Sequence, residues 1–369
     1  MIYIRKLNKD LLKNLLIFDS HCDTVNVLLE DDPYIIDKKD AHLTQEKIIK
    51  GGLKAQFFAI WVNPVYGFEG SQKKAMKLYN ALENNLISTG FGEKVTSVSE
   101  MAKAIKNNKL ACWISIEGGH IIENSTVKLQ KFHELGVRSM TLTHSKNNDW
   151  ADSNGDEPRW DGINKLGRQI IYKMDEMKIA IDVSHSSDKT IEDVLECSSM
   201  PIMASHTCAR SICNIRRNLP DSLIKGIAEK KGYIGVNFFP GFLNKKIWDQ
   251  IFKNIKKYEK WFEEKTKDQD NPDVLNKIEI DLYKKTVEGT GQIDLNAIID
   301  NITHIADIGG TNCVGIGSDF DGIPSTPTDL KDVSGYPALV NRLYDRGFSV
   351  EQIRKIMGLN LINYMKYFD

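Results

Sequence analysis

Eight short runs of consecutive apolar residues are spread along the chain, and most are rich in β-branched or aromatic residues. Runs that are apolar at nearly every position are typical of parallel strands buried on both faces. Segments with helical periodicity lie between them, as expected for repeated βα units. The predicted strands span 15–20, 53–62, 110–116, 137–143, 179–184, 201–205, 233–239 and 313–318, and the main helices 73–87, 127–134, 164–177, 190–197, 221–230 and 295–308.

Eight strands that alternate with helices predict an α/β protein with the (β/α)₈ TIM barrel fold. An open, doubly wound sheet is the alternative architecture. Such a sheet usually carries a glycine-rich phosphate loop after its first strand, and the sequence FDSHCDT at that point is not one. The barrel is therefore preferred.

The length of 369 residues fits one barrel, because barrels with insertions reach more than about 400 residues. We therefore predict a single metal-dependent hydrolase barrel over residues 1–369. The stretch 243–291 is too long for a plain connection and predicts a helical insertion between the seventh and eighth strands. Extra C-terminal helices are predicted at 333–346, 350–357 and 359–368.

The charge composition narrows the class of partner. Lysine plus arginine (49) and aspartate plus glutamate (50) nearly cancel, so no overall field favours nucleic acid or an anionic membrane. A small-molecule partner is expected. No apolar stretch approaches the length of about 20 residues that spans a bilayer, and the N-terminus lacks a signal-peptide core. These features predict a cytoplasmic protein, and the six dispersed cysteines are expected to be reduced.

Metal-ligand and acid–base residue types follow the predicted strands, at the end of a barrel where loops converge on one opening. His21 and Asp23 are two residues apart, so both side chains project from the same side of an extended segment. Histidines together with carboxylates suit zinc, although cobalt or manganese would fit similar ligands. The residues in these positions are His21, Asp23, Glu117, His144, His185, His206 and Asp319.

Each of these residues also has a structural interpretation when it is taken alone. His21 could be a loop histidine and Asp23 a helix cap. Glu117 could form a salt bridge, and His144 could be a hydrogen-bonded core histidine. The metal-site hypothesis is preferred to these alternatives because the residues lie at the ends of different strands of one predicted barrel.

Several motifs in order give the chain a resemblance to a known family. They are FDSHCDT, GGLKAQFFAIWV, ISIEGG, LTHSKNNDWADS, IDVSHSS, ASHTCAR followed by RRNLPD, VNFFP, and GIGSDFDGIP with DVSGYP. With these motifs the chain resembles the membrane (renal) dipeptidase family of zinc metallopeptidases, and within it the soluble bacterial-type members.

The resemblance implies two zinc ions, one held by His21 and Asp23 and the other by His185 and His206, with Glu117 bridging both. It also assigns roles to three further residues. His144 would lie beside the scissile group as a catalytic and substrate-binding residue, Asp319 would carry the proton, and Arg217 would bind the substrate carboxylate. Arg216 competes with Arg217 for that last role, because the assignment rests on counting along the RRN sequence.

The implied activity is hydrolysis of dipeptides by a hydroxide that bridges the two zinc ions, with tolerance of a D-residue at the C-terminal position. Another amidohydrolase-type hydrolase is one alternative, but many of those use H-x-H on the first strand and a bridging lysine, whereas this chain has H-x-D and Glu117. A catalytically silent metal-binding barrel is the second alternative. The oligomeric state stays open, with a homodimer as one candidate.

Overall fold

The computed structural model describes residues 15–29 and 41–369. Nine parallel strands form one sheet within these ranges, and eight of them follow one another in the order β1-β2-β4-β5-β6-β7-β8-β9. The strands are β1 Ile17–Cys22, β2 Leu53–Trp61, β3 Gly92–Lys94, β4 Leu110–Glu117, β5 Val137–Thr141, β6 Ala180–Asp182, β7 Met203–Thr207, β8 Tyr233–Val236 and β9 Val314–Ile316. The eight strands of the path correspond to the eight predicted runs.

The last and first strands of this path approach each other and nearly close the sheet. Cys22 of β1 forms a parallel bridge with Phe320, which follows β9. The Ser20 hydroxyl donates a hydrogen bond to the Ile316 carbonyl at 2.8 Å. The predicted TIM barrel is therefore confirmed, and strand β3 lies outside it, paired with β4 alone.

Helices cover the outside of the barrel. Several begin at a residue whose side chain accepts a hydrogen bond from the first helical turn, as Ser97, Ser125 and Ser187 do. The helices outside the insertion are Thr24–Leu28, Gln45–Gly51, Gly67–Leu82, Val98–Lys106, Thr126–Glu134, Lys165–Glu176, Asp188–Cys197, Asp221–Glu229, Asn296–Gly309, Tyr336–Asp345, Val350–Arg354 and Asn360–Met365.

The predicted insertion between the seventh and eighth barrel strands is helical. After a short helix at Pro240–Leu243, the chain forms two longer helices, Lys245–Thr266 and Pro272–Thr286. Asn244 and Asn271 cap the two longer helices through their side-chain oxygens. We call these two longer helices the insertion hairpin.

The amino-terminal end of the barrel is filled by an apolar cluster. Phe18, Phe57 and Trp113 stack on one another there, and Leu361 and Tyr364 of the C-terminal helix belong to the same cluster. This end is therefore closed by side chains, and the polar strand ends lie at the opposite, carboxyl-terminal end. None of the helices in the described ranges is long and apolar enough to cross a membrane.

Candidate metal centre

The structure brings all five predicted metal ligands together at the carboxyl-terminal ends of the barrel strands. Glu117 is the last residue of β4, and His21 and His206 are the second-last residues of β1 and β7. Asp23 follows β1, and His185 follows β6. Glu117 and His206 are almost completely buried.

Two groups of side chains share Glu117. On one side, the Nε2 atom of His21 lies 3.4 Å from Asp23 Oδ2 and 3.5 Å from Glu117 Oε2. On the other side, Glu117 Oε1 lies 3.3 Å from His185 Nε2 and 3.4 Å from His206 Nε2. These two histidine nitrogens are themselves 2.9 Å apart. Glu117 therefore presents one carboxylate oxygen to each group.

Burial works against the charged forms of Asp23, Glu117 and His206 when no cation is beside them. Burial raises the pKa of Asp23, and the nearby Glu117 raises it further. Burial also raises the pKa of Glu117. For His206, burial lowers the pKa well below its ordinary value, and the charge of His21 adds to this. Neutral imidazole and a carboxylate beside a positive charge are the states in which these groups bind a divalent metal.

Unpartnered polar atoms in the cluster allow a test of whether it fits metal ions. His21 Nε2 and Asp23 Oδ1 are buried and have no hydrogen-bond partner within the described ranges, although buried polar groups are usually paired. Sets of three potential ligand atoms within 4.8 Å of one another include Asp23 and Glu117 with His21, and His144 and Glu117 with His185. A mixed set of nitrogen and oxygen donors such as this one suits a divalent metal of the zinc type.

Asp319 lies at the same opening, after β9. Asn237 donates a hydrogen bond to its Oδ2 at 2.8 Å, and its Oδ1 lies 3.8 Å from His21 Nε2. Burial, and next the charge of Asp23, raise the pKa of Asp319 to about 7. Gly322 packs closely here, because a Cβ atom on it would lie 2.1 Å from Asp23 Oδ2.

Of the two adjacent arginines, the structure places Arg217 in the site. Its Nη2 lies 3.1 Å from His185 Nε2 and donates to the His206 carbonyl at 2.8 Å. Its Nε and Nη1 atoms are buried without a partner in the described part of the chain. Arg216 points outward and pairs with Glu157.

The sequence of this chain matches a known protein family over nearly its whole length. A model of the membrane dipeptidase family, peptidase family M19, matches residues 5–368. The chain belongs to the membrane dipeptidase family. Dipeptidase tcpJ of Claviceps purpurea is 28% identical over 335 residues, which cover 88% of this chain and 69% of that protein.

Solved structures share the fold of this family member. A probable dipeptidase, PvdM from Pseudomonas aeruginosa, is similar with a TM-score of 0.83 at 23% identity, over 98% of this chain and 97% of that one. A metallo peptidase from Rhodobacter sphaeroides, whose crystal structure contains a phosphinate mimic of the dipeptide L-Ala-D-Ala, is similar with a TM-score of 0.79 at 22% identity, over 96% and 99% of the two chains.

A buried hydrogen-bond relay orients one histidine of this dipeptidase-family site. The Ser205 hydroxyl donates to Asp182 Oδ2 at 2.6 Å and lies 2.8 Å from His206 Nδ1. Because the hydroxyl hydrogen is directed to Asp182, the serine oxygen accepts from the Nδ1–H of His206. This arrangement leaves the lone pair on His206 Nε2, which faces Glu117.

His144 lies at the rim of the cluster, with its Nε2 3.9 Å from Glu117 Oε1. The Trp61 ring lies beside it, with the two ring centroids 5.3 Å apart. Burial, and next the charge of Arg217, lower the pKa of His144 to about 3, so the imidazole is neutral. A cavity of about 270 Å³ opens beside His144 and is lined in part by Phe68 and Asn147.

Several residues of the site carry no sequence signal that would have identified them. Trp61 ends β2, Asn237 follows β8 and Ser205 lies within β7, but none of the three is a metal-ligand type.

Proposed function

We propose that the chain is a zinc-dependent dipeptidase that hydrolyses the amide bond of small dipeptides. The observation that carries this proposal is the convergence of His21, Asp23, His185 and His206 on the two oxygens of Glu117. Membership of the membrane dipeptidase family supports the same reaction class. The name of the Claviceps relative and the dipeptide mimic in the Rhodobacter structure support the substrate class.

In this proposal, His21 and Asp23 would hold one zinc ion and His185 and His206 would hold the other, while Glu117 would offer one carboxylate oxygen to each. Bound zinc ions act as Lewis acids that polarise a carbonyl and lower the pKa of water. The Asp182–Ser205 relay keeps His206 in the tautomer that offers Nε2 as a ligand.

Asp319 carries the proton in this mechanism. Its Oδ1 faces the metal-ligand cluster while Asn237 holds Oδ2. A carboxylate in this position takes a proton from the attacking water and returns it to the departing amine. His144 is neutral and lies at the rim, where it donates a hydrogen bond to the carbonyl oxygen as negative charge develops there.

Arg217 binds the free carboxylate of the substrate through its Nε and Nη1 atoms, which have no partner in the described chain. The distance from this guanidinium to the metal-ligand cluster is fixed, and it therefore selects substrates by their length. A longer peptide therefore places its carboxylate out of register. The L-Ala-D-Ala mimic bound to the Rhodobacter protein motivates the further proposal that a D-residue is accepted at the second position.

The test uses the full chain loaded with zinc. Hydrolysis of L-Ala-L-Ala, L-Ala-D-Ala and L-Ala-L-Ala-L-Ala is followed by amine release, and bound metal is counted by elemental analysis. We expect two zinc ions per chain, cleavage of both dipeptides and little cleavage of the tripeptide. Bound zinc without turnover of any peptide would favour the silent metal-binding barrel, and equal cleavage of the tripeptide would contradict the role of Arg217.

A further inference from the structure

The insertion hairpin extends across part of the barrel opening. Its second helix, Pro272–Thr286, is fixed to the loop after β2, because Asn63 donates a hydrogen bond to Glu279 at 2.6 Å and Tyr66 donates one to Asp273 at 2.7 Å. Near its other end, the Tyr283 ring lies 5.9 Å, centroid to centroid, from Phe239, which follows β8.

The strands between these two attachments carry much of the site. In the barrel order, β9 and β1 separate β8 from β2, and the ends of β9 and β1 lead into Asp319, His21 and Asp23. A helix that is attached beside β2 and beside β8 therefore passes over the part of the opening where these residues lie.

Tyr283 is the residue of this helix that we assign to the site. The residue as a whole is 37% exposed, yet burial of its hydroxyl is the largest cause that raises its pKa. The charge of Asp319 raises the pKa further and that of Arg217 lowers it. The rings place Tyr283 on the Arg217 side of the opening: its ring contacts Phe239, and the Phe239 ring lies 4.9 Å from that of Phe242. The Phe242 ring in turn lies 5.0 Å from the Arg217 guanidinium.

The Tyr283 backbone carbonyl accepts a hydrogen bond from Thr286. The Tyr283 hydroxyl has no hydrogen-bond partner among the residues that the structure describes. The Arg217 guanidinium, which lies over the Phe242 ring, has its Nε and Nη1 atoms buried without a partner in the described chain. The arginine and the tyrosine thus present unpaired donors from two different elements. A carboxylate accepts several hydrogen bonds at once and matches such a set of donors.

We propose that Tyr283 is a substrate-binding residue supplied by the insertion hairpin, and that its hydroxyl donates a hydrogen bond to the same substrate carboxylate that Arg217 binds. This inference rests on the proposed dipeptidase function and adds a second donor for the free carboxyl end. The insertion then takes part in recognising that the substrate ends there.

The test compares Tyr283→Phe with wild type, both loaded with zinc, on L-Ala-L-Ala and on its C-terminal amide. Tyr258→Phe is the matched control, because Tyr258 lies in the same hairpin and donates to Glu288 at 3.0 Å on an exposed face. Removing a hydrogen bond to a charged group should raise KM for the dipeptide about tenfold and change kcat less than about twofold. For the amide, Tyr283→Phe should match wild type.

Two results would overturn the assignment: unchanged KM for the dipeptide in Tyr283→Phe, or an equal loss on dipeptide and amide. Thermal unfolding of the three proteins shows whether the variants fold alike. If zinc-loaded wild type turns over no dipeptide, the proposed function fails. Calorimetric binding of a phosphinate L-Ala-D-Ala mimic then decides the Tyr283 assignment, which requires Kd to rise about tenfold in Tyr283→Phe and to stay constant in Tyr258→Phe.

Discussion

The two oxygens of Glu117 face different histidines, so this single residue divides the cluster into two groups of side chains. Oε2 lies near His21, and Oε1 lies near His185 and His206. A buried carboxylate is costly without a positive partner. Its place between these groups explains why a charged residue can end a strand as apolar as β4.

Substitution of Asp319 tests whether proton transfer can be separated from metal binding. Asp319 could also act as a ligand, since it forms a set of nearby donor atoms with His21 and His206. We expect Asp319→Asn to keep two zinc ions and to lose about 10²–10⁴-fold in kcat, because the amide cannot take up the proton. Elemental analysis and steady-state kinetics on one preparation give both quantities. Loss of one zinc ion would make Asp319 a ligand, and a near-normal rate would remove it from the mechanism.

The Ser205 relay predicts an effect on metal affinity. Ser205→Ala removes the group that accepts from His206 Nδ1, so the imidazole loses its fixed tautomer and orientation. We expect zinc affinity to fall about 10–100-fold, measured by competition with a chelator. Ser139→Ala is the control, because the Ser139 hydroxyl is also buried in the barrel but has no hydrogen-bond partner in the described chain. Equal affinity in the two variants would contradict the relay.

Sequence patterns could predict residues whose side chains are common metal ligands, but not the residues that position those side chains through hydrogen bonds. His21, Glu117 and His185 combine a ligand-type side chain with a strand-end position, so the pattern alone indicated them. Asn237 and Ser205 are ordinary polar residues in the sequence. Their importance depends on distances of 2.8 Å to Asp319 and to His206, which the fold creates.

At the scale of elements, the apolar runs predicted all eight barrel strands because parallel buried strands need such runs. The short outer strand Gly92–Lys94 was missed, since GEK contains no apolar residue and pairs on one side only. The helices Gln45–Gly51 and Val98–Lys106 were also missed. Both are short, and their start depends on the capping side chains of Thr44 and Ser97 rather than on a long apolar stripe.

The contact between the C-terminal helices and β1 is tight enough to require a glycine. A Cβ atom on Gly358 would lie 2.4 Å from the Leu16 carbonyl oxygen, whereas one on Gly291 would meet nothing closer than 3.6 Å. We expect Gly358→Ala to destabilise the fold by about 1–3 kcal/mol, seen as a lower midpoint of thermal unfolding. Gly291→Ala, the matched control, should change stability by less than about 0.5 kcal/mol. Equal midpoints would show that the helix shifts without cost.

At the scale of the whole molecule, the barrel has one apolar end and one polar end. The stacked Phe18, Phe57 and Trp113 fill the amino-terminal end, while buried carboxylates and histidines occupy the other. Stability is therefore expected to depend on what neutralises the polar end. Desolvated carboxylates there oppose folding until a cation binds.

Zinc should therefore stabilise the folded protein as a whole. At free zinc about 100-fold above Kd, binding at one position adds about 2.7 kcal/mol to the free energy of unfolding. We expect the midpoint of thermal unfolding to rise on zinc addition to chelator-treated protein, and to rise much less in Glu117→Gln. Magnesium, which prefers oxygen ligands, serves as the control ion. An identical midpoint with and without zinc would contradict the metal centre.

The insertion hairpin leaves the barrel after β8 and returns before β9, so its sequence lies outside the strands that position the histidines and Glu117. Mutations can accumulate in this hairpin without disturbing those strands. Evolution can therefore alter the substrate range of such a barrel through the hairpin that covers its opening, while the residues at the strand ends beneath it are conserved.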